Sequence, residues 1–542
     1  MMNKRRNKYI YLPIVFAILL ALGIYVGMKL SEVSRLEKNV FTLNTPRYDK
    51  LTDIINYIDQ DYVDSVNKEE LVENSIVEIL QELDPHSQYI PAKDFNTVND
   101  PLQGNFEGIG IQFRIVKDTI TVIHPIPGGP SEKVGLKAGD RIVKIEDTLV
   151  AGVSINNHEA MSKLKGKRGT RVNVDVYRRN SDELLDFTIT RDVIPTYSLD
   201  VAYMVDEKIG YIKLNKFSAT TFEEFSDAMD ELLQEGMEKL ILDLRGNVGG
   251  YLKAAVKIAD EFLENNKLIV YTEGNSRPKN FAYATQRGRF EDQELVVLID
   301  EGSASASEIL AGAIQDNDRG SIIGRRSFGK GLVQEQLSFP DGSALRLTVA
   351  RYYTPTGKNK KKPYDEGLEE YYHESYERFM NGEVLHPDSI QFADSLKYIT
   401  PGGKVVYGGG GIMPDIYVPL QQDSNYVFYN KLLRRGLIYQ FAFDYTDKHR
   451  QDYDQYKTYR EFNRNFNISN SLFQQFIAYA AEKNVKGSAQ EIAETKRKIK
   501  TLLKAYFSQN LYDDKGFYPV YHQIDDVFAR AVDHLKNQDS EI

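Results

Sequence analysis

Two short, mostly apolar runs fix the centre of this chain. "KLILDL" (239–244) and "LVVLID" (295–300) have strand length and little polar interruption. Such runs suit strands covered on both faces. Before the first lies "TFEEFSDAMDELLQEG", a helical pattern with Phe222, Phe225, Met229 and Leu232 on one face. From about residue 205 the rhythm is strand, loop, helix, which predicts an α/β core built on parallel strands. Each run ends in a turn of glycine or other small residues, "RGNVGG" after one and "EGSASAS" after the other.

The rest of the chain changes character around that core. Tyr9 to Met28 is twenty residues without a charge, enough to cross a hydrocarbon layer of roughly 30 Å. Lys4, Arg5, Arg6 and Lys8 precede it with no acid among them. The positive-inside bias therefore expects 1–8 in the cytoplasm, 9–28 as a single-pass anchor, and everything later outside. A cleaved signal peptide is the rival, but no small-residue cleavage site comes after the apolar run. Residues 29–103 read as a region of short amphipathic helices. A β-rich domain occupies 104–193, with one short helical piece at Ser131–Val134. The core then runs over 194–425, with a polar, Tyr-rich insertion at about 360–405, and helical patterns fill 426–542.

Composition narrows the chemistry. The formal charge of −10 gives no basic face for a nucleic-acid partner. The absence of cysteine excludes disulfides and thiolate chemistry, and suits an oxidising compartment.

"GRRSFGKGLVQ" (324–334) nearly matches a phosphate-binding loop, but Gly331 stands where that loop needs Ser or Thr. The residues after Gly331 are β-rich and turn at Pro340-Asp341-Gly342, so the helix that would hold the phosphate is missing too. With a strand there, Lys330 and Gln334 share a face, and Gln334 can hold the lysine amine. In "SASASEI", Ser305 lies at a strand-to-helix turn with its hydroxyl exposed; Ser303, Ser305 and Ser307 also suit plain turn and cap duty. One helix and one short strand separate Ser305 from Lys330, so a Ser–Lys pair is geometrically possible. No histidine lies between 159 and 372 to compete for the role of base. A lysine base must be neutral, and its ordinary pKa of about 10.4 has to fall by roughly three units, about 4 kcal/mol. Phe328, Leu332 and Val333 offer the apolar surroundings for that, away from water and carboxylates. The glycine turn of "LDLRGNVGGYL" can aim backbone N–H groups at a developing oxyanion, or be a tight turn and nothing more.

Taken together, "LDPHSQYI", "DLRGNVGG", "SASASEI", "SFGKGLVQ", "RYYTPTG" and "GIMPDIYV" resemble the carboxyl-terminal processing proteases, S41-type peptidases with a PDZ domain and a Ser–Lys dyad. The likeness covers roughly 46–420. It implies an α/β protease core with an inserted PDZ-like domain, an N-terminal transmembrane helix and a C-terminal helical domain. It further implies Ser305 as nucleophile, Lys330 as general base, Gln334 as its orienting partner, and the N–H groups of Gly250 and Ala306 as oxyanion hole. Val248 departs from the family's usual glycine there. "FEGIGIQF" resembles the carboxylate loop of a PDZ domain, implying Gly108, Ile109 and Gly110 as donors and a pairing strand from Ile111. The implied partners are proteins or peptides with free C-termini, plus the membrane, with no metal or other cofactor. The C-terminal helices are the candidate surface for self-association or an adaptor. The competing expectation is a catalytically inactive PDZ scaffold that only captures C-termini.

Overall fold

The computed structural model describes residues 16–18, 20–23, 49–179, 181–285, 288–358, 368–386, 390, 394–420 and 427–538. The chain forms two units, 1–76 and 77–542. Most of the expected anchor at 9–28 lies outside the described residues. Among those described, no helix is long and apolar enough to cross a membrane. In the first unit, helix Lys50–Asp61 is capped by the Asp49 side chain, which accepts from the Thr52 amide.

The larger unit is organised by a six-stranded sheet. Its spatial order is its chain order: Leu199–Met204, Ile209–Leu214, Lys239–Asp243, Glu294–Ile299, Ser321–Gly324 and Ile416–Tyr417. The first pair is antiparallel and the rest parallel, as strand–helix–strand crossovers require. Both apolar runs sit in the middle, with Leu240, Ile241, Leu242, Val296, Val297 and Leu298 all fully buried. Helices Thr221–Gln234, Leu252–Asp260 and Ala306–Asp316 cover one face. The other face is covered by the last helix, Asp526–Gln538, through Val527, Phe528, Ala531 and Leu535. The end of the helical segment therefore completes the core.

A second sheet carries the hairpin expected after Lys330. Leu332–Ser338 pairs antiparallel with Ala344–Tyr353, and the turn falls at Pro340–Gly342. Gln88–Ile90 of "LDPHSQYI" adds to the Ala344 end of the same strand. The insertion is not confined to the surface: Tyr371, Arg378 and Glu383 are buried, and Arg326 and Arg378 both pair with Glu383. Residues 359–367, 387–389 and 391–393 of that insertion lie outside the described residues.

The β-rich domain hangs from the core by its two ends, which pair with each other as Asn105–Gly108 and Asp192–Pro195. Its own sheet runs Ile111–Ile115, Ile120–Pro125, Arg141–Ile145, Arg171–Tyr177, Leu185–Thr190 and encloses a separate apolar core. Ile111–Ile115 is an edge strand of that sheet. The back of the domain is basic and meets an acidic face of helix Leu437–Lys448. Arg141 and Arg179 both reach Asp447 at 3.2 Å, Lys117 reaches Asp444 at 3.1 Å, and the Arg114 guanidinium lies 3.9 Å from the Tyr439 ring centre. Asp447→Ala is expected to loosen this contact by about 1 kcal/mol, speeding amide exchange roughly fivefold in Arg141–Ile145 and Leu437–Lys448. Unchanged exchange at both would show that the acidic face does not hold the domain.

Candidate active site

Strand Glu294–Ile299 ends at a turn that feeds helix Ala306–Asp316, and Ser305 is the last residue before that helix. Its φ of 54° and ψ of −111° are strained for a residue with a side chain, so the turn must be held from outside. The holder is Glu308, three residues on and fully buried. Its carboxylate accepts from the amides of Ser305 and Lys330 at 2.9 Å, from Gly329 N–H at 2.8 Å, and from the Ser327 hydroxyl at 2.5 Å. Tyr352 also donates to it, at 3.2 Å. Burial pushes the Glu308 carboxyl up, and the Ser327, Ser305, Gly329 and Lys330 donors oppose that.

The glycine turn closes over the same point. Gly249 has φ 98° and packs so tightly that a Cβ there would meet Ala304 O at 2.7 Å, Ser305 Cβ at 2.8 Å and Ala306 N at 2.9 Å. Gly250 has φ 146°, and a Cβ on it would strike the Phe217 carbonyl. Both positions therefore exclude other residues. Val248 is exposed and outside the positive-φ set, so its replacement of a glycine leaves the turn intact. The start of the turn is anchored by Arg245, which donates to Asp243 and to Asp525, the residue before the last helix. Burial would raise the Asp243 carboxyl, but Arg245 and Lys213 hold it well below the usual carboxylate range. The Ala306 amide begins a helix, where N–H groups have no intrahelical acceptor.

Lys330 reaches the site from the hairpin. Its Nζ donates to Gln334 Oε1 at 3.0 Å, and Gln334 Nε2 donates to the His86 carbonyl at 2.6 Å. A carbonyl can only accept, so the second bond fixes which end of the amide faces the lysine. The contact expected between Lys330 and Gln334 is present, but strand alternation is not its cause. Lys330 precedes the strand, and the pairing register shifts between Val333 and Gln334, a bulge that re-aims Gln334. Burial lowers the Lys330 amine and the Arg346 cation lowers it further, while Asp84 and Glu308 pull it up. Carboxylates are thus close to the amine, and burial together with Arg346 outweighs them.

Ser305, Lys330, Gln334 and Gly250 line one cleft of about 370 Å³ with Val248, Gly249, Tyr251, Arg346 and Tyr352. Gly108, Ile109, Gly110 and Ile111 lie apart from it, in the β-rich domain. Gly108 is taken into the paired ends opposite Asp192, and Gly110 makes the turn with φ 74°. The carbonyls of Ile109 and Gly110 accept from Ser131 and Ile126, bracing the loop.

Sequence reading missed Glu308, Asp84, His86 and Arg346. Glu308 had a local signal, since Ser305-x-x-Glu308 is a capping-box pattern. His86 had none: its ring shares a 2.8 Å hydrogen bond with Tyr371, and only its backbone oxygen serves the site.

A serine on a strained turn, a partly buried amine and a glycine loop thus share one cleft. The profile of peptidase family S41 matches residues 208–369, that of the PDZ domain 108–189, and that of a family of unknown function 428–513. The carboxy-terminal-processing protease of Bartonella bacilliformis is 38% identical over 310 residues, 56% of this chain and 70% of that protein. The carboxy-terminal processing protease CtpA of Bacillus subtilis is 33% identical over 357 residues, 66% of this chain and 75% of that protein. A solved photosystem II D1 C-terminal processing protease shares 25% identity, covers 68% of this chain and 87% of its own, and has a TM-score of 0.35. The chain belongs to the carboxy-terminal processing serine proteases of family S41, and carries their PDZ domain.

Gly249→Ala is expected to cut peptidase turnover about a hundredfold while circular dichroism stays unchanged, because the added carbon displaces Ser305 and Ala306. Turnover within a few-fold of the unmodified protein would show that the close approach is dispensable.

Proposed function

We propose that this protein is a membrane-anchored, extracytoplasmic endopeptidase that cuts proteins near their C-termini with a Ser305–Lys330 dyad. Neutral Lys330 accepts the Ser305 proton as Oγ attacks the scissile carbonyl, then passes it to the leaving amine. Water releases the acyl-enzyme by the same route. The amides of Gly250 and Ala306 face the oxyanion. Gln334 holds the amine in place through its own bond to His86.

The observation that carries this reading is the half-buried Lys330 amine, held by a fixed amide in the cleft that Ser305 lines. The PDZ domain's edge strand from Ile111 suits addition of a substrate C-terminus as a further strand, with Gly108, Ile109 and Gly110 at its carboxylate end. The charge-free run at 9–28 behind a basic segment supports a single-pass anchor in the cytoplasmic membrane, with the enzyme on its outer, periplasmic side.

Ser305→Ala and Lys330→Ala, in a fragment beginning near residue 30, are each expected to lower cleavage of an unfolded substrate by about 10⁴-fold or more. Cleavage surviving either change removes the dyad. A general base works when deprotonated, so kcat/KM should rise with pH through the Lys330 pKa, at a midpoint below the ordinary lysine value of about 10.4. Arg346→Met removes a neighbouring cation and should move that rise to higher pH; an unmoved profile would mean that another group titrates.

A further inference from the structure

The catalytic cleft opens into a second hollow of about 980 Å³, with which it shares Tyr251, Leu252, Val333 and Gln334. Its floor is apolar, through Phe222, Ala254, Val333 and Val349. Its rim carries Lys253, Lys257, Arg277 and Lys279 against one lining carboxylate, Glu335. Glu335 is committed to Arg277 at 2.6 Å. Glu223 and Glu273 approach Lys257 and Lys279 from outside the lining at 3.7 and 3.8 Å, both loose and exposed pairs. Lys253 has no ion pair among the described residues.

Lys253 is also poorly placed by ordinary helix chemistry. It stands second in helix Leu252–Asp260, whose first turn has no acid, at the end where the helix dipole disfavours a cation. Lys257 repeats the charge one turn later on the same face. The whole chain carries −10, so this rim opposes the protein's own balance. Lys253, without an ion pair among the described residues and beside the cleft, marks a place where a ligand supplies the missing anion.

We infer that this hollow is a subsite for acidic side chains of the polypeptide being cut, with Lys253 and Lys257 as the recognising pair; this rests on the Ser305 cleft being the active site. Residues four apart on a helix are separated by about 6 Å along its axis. Alternate residues of an extended chain, which point to one side, are separated by about 6.6 Å. The pair therefore matches acid-x-acid in an extended segment. Two edge strands border the hollow, Arg277–Tyr283 and Leu332–Ser338, and offer free backbone for such a segment.

The test uses fluorescent peptides that differ only in Glu-x-Glu, Gln-x-Gln or Lys-x-Lys, moved through each position flanking the scissile bond. Binding is read on Ser305→Ala protein, and kcat/KM on the unmodified enzyme. At one register Glu-x-Glu should bind about fivefold tighter than Gln-x-Gln at low salt, with the gap closing near 1 M salt. The double variant Lys253→Glu, Lys257→Glu should turn the preference to Lys-x-Lys, and Lys253→Gln, Lys257→Gln should erase it. Equal binding of all three peptides at every register, or a preference untouched by both double variants, overturns the subsite. Should Ser305→Ala protein still cut, the active-site assignment fails, and the binding measurement still decides the subsite.

Discussion

The buried carboxylate of Glu308 joins the serine turn to the loop that runs from the six-stranded sheet into the hairpin. It accepts from the amide of Ser305 on one side and from Ser327, Gly329 and Lys330 on the other. A buried carboxyl group is tolerated only when such donors surround it. Beside the Ser327 and Tyr352 hydroxyls, its donors are the backbone of the serine turn and the backbone that leads to the lysine. Satisfying this one carboxyl therefore fixes the separation between the serine turn and the segment that carries Lys330.

The glycine turn depends on the same anchoring from another direction. Asp243, Arg245 and Asp525 form a buried ion network, which ties the start of the turn to the base of the last helix. That helix covers the sheet face opposite the three core helices. The C-terminal segment thus serves the active site at one end and grips the back of the PDZ domain through Asp444 and Asp447 at the other. Its contacts leave the outer edge of strand Ile111–Ile115 without a further strand, the inner edge being paired with Ile120–Pro125.

Much of the fold was legible because it obeys local rules. The two apolar runs became the central parallel strands, and Phe225, Met229 and Leu232 became one buried helix face. Pro340-Asp341-Gly342 became a hairpin turn, which disposes of the phosphate-loop reading of "GRRSFGKG". The packing of helix Leu368–Met380 was not legible, because Tyr371 meets His86, 285 residues away, and no short-range pattern encodes that. Nor was the bulge at Gln334, since a register shift is set by the partner strand rather than by the shifted residue.

The sequence by itself determined which residues could act: a serine before a helix, a lysine before a strand, glycines where backbones must touch. Those are matters of side-chain chemistry and of backbone freedom within a few residues. Only the tertiary structure decided that Gln334 turns its oxygen to Lys330, because its nitrogen is taken by the carbonyl of His86, 248 residues away in sequence. It alone also set a lysine amine among Arg346, Asp84 and Glu308, with burial deciding the balance. The charge state of a base depends on everything packed around it, and that packing is a property of the folded chain.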